Sequence, residues 1–282
     1  MSLEAVLGRL KWAEAYQAAL DGEVHNLRQL YSDPPLSMET KGGGRVRDFS
    51  VGDVPEIPPD LGLLVGDCVH NFRASLDNLV YTIAEESNPG RFSSEERRAS
   101  SFPITEARAD FREARRRGAL ARLPPRAQAR IQRMQPFRGR GRPELHPLAV
   151  LRRLSDMDKH RTVPVIAWSA PPFSLSPSVP GARWYPLSAS LEPHKPFIRL
   201  TLPAEFARTE VNVVWWFSVF VQGPDSLRER AVDLWLHNIQ HYLRDWVVPE
   251  LARYCAAASH QALAEAYGVT EWPASLPRRF FR

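Results

Sequence analysis

Residues 66–84 read GDCVHNFRASLDNLVYTIA, and the reading of this stretch decides the fold. Turned through about 100° per residue, it brings Val65, Cys68, Val69, Phe72, Leu76, Leu79, Val80 and Ile83 within roughly a third of a helix circumference. Asp67, His70, Asn71, Ala74, Asp77, Asn78 and Tyr81 fall on the other side. That polar side carries no Lys or Glu, the usual residues of a solvated face. Short carboxylates, short amides and one imidazole suit preorganised hydrogen bonding. The stretch therefore predicts a helix buried on one side and holding a polar network on the other.

Outward from this helix the chain divides into helical and β-rich parts. Residues 2–31 predict a long amphipathic helix, with Leu3, Val6, Leu7, Leu10, Ala13, Leu20, Val24, Leu27 and Tyr31 at spacings of three and four and Gln17 as the one polar miss. Asp33-Pro34-Pro35 ends it. Residues 37–51 predict a β-hairpin turning at Gly42-Gly43-Gly44. The second helix is expected over about 60–86, stopping before Asn88-Pro89-Gly90. Shorter helices follow over about 106–117, 125–134 and 147–160. From Thr162 the pattern becomes β-rich, over 162–169, 184–191, 197–202 and 211–221. The last run, VNVVWWFSVFV, is apolar on both faces, as a central strand is. Asp225 or Ser226 is expected to cap a helix to about Val247, and Pro249 to start the last one, ended by Gly268. The expected fold class is α+β: an antiparallel helical bundle with an antiparallel β layer inserted before the C-terminal helices. One domain is expected over 1–282, helical over about 1–161 and 225–268 and β-rich over about 162–222.

Composition narrows the class of protein. With 44 % hydrophobic residues the chain can bury a full core, which excludes an intrinsically disordered polypeptide. No apolar run reaches the roughly 18 to 20 residues of a membrane span, so no membrane partner is expected. The first residues lack a basic patch followed by an apolar core, so no secretory leader is expected. Only Cys68 and Cys255 are present, too few for a disulfide framework or a zinc knuckle. A reducing cytoplasm is the expected location. The net charge of +5 is unevenly spread, because residues 108–142 hold twelve Arg against Asp110 and Glu113. Such clustering favours a polyanionic partner, with Arg115, Arg116, Arg117, Arg138, Arg140 and Arg142 as phosphate-binding candidates. A GC-rich genome accounts for Arg over Lys, which occurs only at 11, 41, 159 and 195, but less readily for the clustering.

Chemistry, if present, is expected where the first helix meets the later DKHR run, residues 158–161. Asp67, His70, Arg73 and Asp77 with Asp158, His160 and Arg161 are the catalytic candidates, and Asn71 and Asn78 are binding candidates. Isolated burial of a carboxylate costs several kcal/mol, so ion pairs are expected, with Asp77–Arg161 and Asp158–Arg73 as the natural pairings. The competing account is a structural network that holds helix register and does no chemistry. Asp67 and His70 lie on adjacent turns, as bundle metal ligands do, but a metal site would need Asp158 or His160 to complete it, and none is assigned. There is no P-loop, no dinucleotide-binding glycine turn and no nucleophile elbow, and no cofactor is indicated.

The segments GDCVHNFRASLDNLVY, FPI (102–104), QPF (135–137) and HPLAVLRRLSDMDKHR resemble an uncharacterised family of bacterial proteins with a GDxxHNxRxxLDxL helix and a DKHR motif. The resemblance covers residues 60–165 and implies no activity. Many members have His where this chain has Asn78, which does not titrate near neutrality. The chain also weakly resembles HEPN-type domains, in which an Arg is followed after four to six residues by His. Arg73 would begin such a motif, but Asn78 stands in the His position. Four other spacings fit, Arg140/His146, Arg153/His160, Arg230/His237 and Arg253/His260, where chance gives roughly three. That resemblance implies a homodimer and attack of a 2′-hydroxyl on phosphate. Two functions are therefore expected from the sequence: a binding or regulatory module contacting nucleic acid through 108–142, or a HEPN-like or metal-assisted ribonuclease or phosphodiesterase.

Overall fold

Two prolines open the central helix α2 (Pro59–Ser87), where the missing N–H of Pro59 would have no partner in any case. In this computed structural model, residues 2–30, 36–53, 56–90, 93–98, 100–116, 118–159, 162–169, 174–176, 178–188, 191–214, 217–228, 230–256, 261, 264–266 and 268 are described. All eight apolar positions of its predicted stripe are 0 % exposed. Helix α1 (Leu3–Leu30) lies antiparallel to α2: the Cys68 thiol donates to the Ala13 carbonyl (3.7 Å) and Arg9 donates to Asn71 Oδ1 (3.1 Å). Its expected apolar stripe is buried from Leu3 to Leu27 except for the half-buried Leu7; Tyr31 and the stop at 33–35 lie outside the described residues. Gln17, the polar miss, is 2 % exposed, and neither of its amide atoms has a hydrogen-bond partner among the described residues.

A third helix, α8 (Val232–Tyr242), runs antiparallel to α1 along its other flank. Glu14, Asp21 and Arg28 recur every seven residues on α1, so they share one edge. They meet Arg244 (3.0 Å), His237 (3.5 Å) and Asp233 (3.1 Å) respectively. Partly exposed pairs contribute little each, typically under about 1 kcal/mol, and their main effect is on register. The expected helix from Asp225 to Val247 is corrected: Asp225–Leu227 is a 3₁₀ turn, and α8 starts at Val232. Pro249 does stand in the first turn of a helix, α9 (Val248–Ala252), which continues from a π turn, Leu243–Val247, and ends at Ala252 instead of running on to Gly268.

Of the shorter helices, α5 (Gly118–Arg122) and α7 (Pro147–Asp158) pack against α2, α3 (Ser94–Arg98) packs against α5 and α6 (Pro125–Arg133) against α9, and α4 (Arg108–Ala114) precedes α5 in the chain. The predicted hairpin forms as β1 (Leu36–Lys41) and β2 (Val46–Val51), in register from Lys41↔Val46 to Leu36↔Val51. Gly42, Gly43 and Gly44 all have positive φ, which only glycine adopts without strain. The later strands are β3 (Val165–Ser169), β4 (Ser174–Ser176), β5 (Arg183–Pro186), β6 (Pro196–Thr201), β7 (Asn212–Val214) and β8 (Phe217–Val221).

The fold is α+β, and the β layer precedes the C-terminal helices. It also recruits the N-terminal hairpin, giving an antiparallel four-stranded sheet of order β1-β2-β6-β5. Asp48 on β2 faces Arg199 on β6 and is held by two of its nitrogens (2.6 and 2.8 Å) and by Lys41 on β1 (3.1 Å). Within the run 211–221, β7 pairs with β4 and β8 with β3, both antiparallel; Trp215 and Trp216, between β7 and β8, lie outside the described residues. Val219, Phe220 and Val221 are all buried, with α1 and α8 packed against β8. No helix among the described residues is long and apolar enough to cross a membrane.

Candidate functional site

Two glycines one turn apart on α2 set the geometry where the sequence motifs meet. A β-carbon on Gly62 would lie 2.5 Å from the Val163 carbonyl oxygen and 2.9 Å from Thr162 Cγ2, and one on Gly66 would overlap the Asp158 carboxylate. The missing side chains thus form a groove that seats the end of α7 and the chain beyond it. The DKHR segment and the 66–84 helix do come together, through Asp158. His160 and Arg161 lie outside the described residues.

The polar side of α2 is not one network. Asp67 and His70 are exposed. Asn71 is buried, donating to the Asp67 carbonyl (2.8 Å) and accepting from Arg9. Asn78 is half-buried. Arg73 pairs with Asp77 on its own helix (3.0 Å) instead of Asp158, because residues four apart on a helix are neighbours. Together they clasp the backbone of Phe102: its N–H donates to Asp77 Oδ1 (2.7 Å) and its carbonyl accepts from Arg73 (2.7 Å). Burial pushes the Asp77 carboxyl up from its ordinary value, and Arg73 and the Phe102 N–H oppose that rise. Both residues are therefore engaged in holding the FPI segment. The expected Asp158–Arg73 pair gives way to these local bonds, and the expected Asp77–Arg161 pair falls on Arg161, outside the described residues.

The same strap is fastened at its other end. Gln135 Oε1 accepts from the Thr105 N–H (2.9 Å) and the Thr105 hydroxyl donates to it (3.2 Å), while Arg152 donates to the Ile104 carbonyl (3.1 Å). Phe137 of the QPF segment lies 6.0 Å from Phe111 between ring centroids. Arg153 reaches both carboxylate oxygens of Glu106 (2.9 and 2.7 Å) and the Glu144 carbonyl (2.5 Å). Between the strap and α7 lies a cleft of about 540 Å³, lined by Arg73, Phe102, Asp110, Arg152, Asp156 and Lys159. Arg152, Asp156 and Lys159 were not among the sequence candidates, since their outward helical positions read as ordinary solvated face. Asp156 lies 3.3 Å from Lys159 and 3.7 Å from Arg152. Among the described residues no group of three or more His, Cys, Asp or Glu side chains is arranged to hold a metal ion.

Outside the basic segment Arg28, Arg73, Arg153, Arg199 and Arg244 each have a carboxylate partner, while Arg9 and Arg47 are held by an amide and by backbone carbonyls. Within 108–142, Arg122 pairs with Glu96 (2.6 Å), Arg130 with Glu250 (2.9 Å) and Arg142 with Glu144 (2.7 Å). Arg108, Arg112, Arg115, Arg116, Arg126, Arg133, Arg138 and Arg140 are exposed, with no ion pair among the described residues. Arg117 lies outside the described residues. Arg108, Arg112 and Arg115 follow helical spacing along α4 and its end, as Arg126, Arg130 and Arg133 do along α6, so each set shares a face. No family model, curated protein or solved structure matches the chain.

Proposed function

We propose that this protein is a nucleic-acid-binding module that engages phosphates through the arginines of residues 108–142. The observation that carries the proposal is the set of eight exposed arginines in one 35-residue segment with no ion partner among the described residues. Leaving like charges together on a surface is unfavourable until an anion joins them. The planar guanidinium fork fits phosphate oxygens in pairs. Arg73 and Asp77 serve this module as positioning residues, since the strap they clasp leads directly into α4.

The test is a titration of fluorescently labelled RNA and DNA across a salt series. Each phosphate neutralised adds about 0.7 to 0.9 to the slope of log affinity against log salt, so engagement of four arginines gives a slope near −3. Arg115→Glu with Arg116→Glu, and Arg138→Glu with Arg140→Glu, are each expected to weaken binding about uniformly across sequences and to flatten the slope. Affinity that stays constant between low and high salt would dismiss phosphate contact.

A further inference from the structure

A second cleft, of about 610 Å³, adjoins the end of the basic segment. One wall is the chain leaving the RGRGR loop (138–142), through Leu145 and Pro147; the other is α8 and the π turn, through Asn238, His241, Tyr242, Asp245 and Trp246. The aromatic wall is rigid. The Tyr242 hydroxyl donates to the Met134 carbonyl (2.9 Å), and its ring stands edge-on to His146 (4.9 Å) and Trp246 (5.3 Å). Arg230 lies over the ring of Trp235 (5.3 Å) at the same cleft. His146 accepts the Leu148 N–H (3.2 Å) as the cap of α7, and burial lowers its pKa to about 4, so it stays neutral at physiological pH. A β-carbon on Gly139 would lie 3.6 Å from the His146 ring, so the loop passes directly beside this wall. The π turn itself is a rare interruption, frequent at functional sites.

The chemistry of the rim selects the ligand. Arg230 and Asn238 supply donors, and Asp245 (3.1 Å from His241) and Asn238 supply acceptors. A phosphate entering here would meet the Asp245 carboxylate. A planar heteroaromatic ring with both donors and acceptors on its edge would meet π faces and complementary polar groups. Arg138 and Arg140 lie outside the cleft, exposed, where phosphates can reach them. We infer that this cleft receives an unstacked base of a single-stranded nucleic acid whose backbone lies on Arg138 and Arg140. The inference rests on the nucleic-acid reading above and narrows it to single strands, because a base stacked in a duplex cannot offer its face to an aromatic wall.

The experiment uses the full chain and labelled RNA and DNA of about 12 nucleotides, each single-stranded and as a duplex. Trp246→Ala is expected to weaken single-strand binding about 10-fold while leaving duplex binding and the salt slope unchanged, and Trp246→Phe to restore most of the loss. Arg138→Gln with Arg140→Gln lowers affinity for both forms and flattens the slope. Because Trp246 is half-buried, the parent protein is also photocrosslinked to a single strand carrying 5-iodouridine, and the crosslink is expected on Tyr242 or Trp246. Salt-dependent binding with equal affinity for duplex and single strand, indifference to Trp246→Ala, or crosslinks only elsewhere would overturn the base-pocket inference and leave the phosphate surface standing. Absence of any salt-dependent binding removes both.

Discussion

Replacing Gly62 by Ala tests the docking that brings the DKHR segment to α2. In most helices this change stabilises, by up to about 1 kcal/mol, because Ala loses less backbone entropy on folding. Here the new methyl would lie 2.5 Å from the Val163 carbonyl oxygen, against an ordinary contact distance of 3.4 Å or more. The neighbouring backbone must therefore retreat by about 0.9 Å, and it is anchored there, since Val163 is 1 % exposed. Overpacking of this kind costs about 1–3 kcal/mol, which exceeds the propensity gain. A net loss of about 1–2 kcal/mol is expected in denaturant unfolding, read as a lower midpoint at constant slope. Gly22→Ala is the internal control. It sits on the exposed face of α1 with nothing within 4 Å of the added methyl, and it should gain about 0.5–1 kcal/mol. If Gly62→Ala proves as stable as Gly22→Ala, the seating of residues 162–163 in the groove of α2 is wrong.

Other perturbations probe the remaining contacts. Gln17→Leu removes a buried amide that has no partner, and thermal or denaturant unfolding should show a gain of about 1–2 kcal/mol. Asp77→Ala orphans the Phe102 N–H and the Arg73 guanidinium, and a loss of about 2 kcal/mol is expected in denaturant unfolding; a change within about 0.5 kcal/mol would place the strap elsewhere. The Arg199 guanidinium, with Lys41, holds the Asp48 carboxyl at about 2, below its ordinary 3.8. Its contribution, up to about 2 kcal/mol, is therefore complete above pH 4 and fades as pH falls through 2. Asp48→Asn should lower stability at pH 6 but leave the variant and parent alike near pH 2, as measured by denaturant unfolding at each pH.

Local patterning made much of the fold legible in the sequence. The apolar stripe of α2 had only one way to face, and each of its eight members is buried. Three consecutive glycines dictated the hairpin turn, because side chains resist the positive φ it needs. Partners distant in the chain were not legible. Nothing in VRDFSV indicates that β2 will pair with a strand 150 residues later.

The candidate site divides in the same way. Which residue types stand on α2, and at what angle, followed from periodicity alone, as did the density of arginine over 108–142. Whether each polar group meets water or a partner did not. Asp67 and His70 remain open to solvent while Asp77, further along the same helix, receives the Phe102 backbone, and periodicity treats the three alike. Likewise, only the fold shows that eight of these arginines are exposed and have no ion pair among the described residues. The sequence by itself determined helix faces, turns and charge density, since these depend on a few adjacent residues. Tertiary structure decided pairing, burial and accessibility, since those energies depend on which distant segment arrives to displace the water.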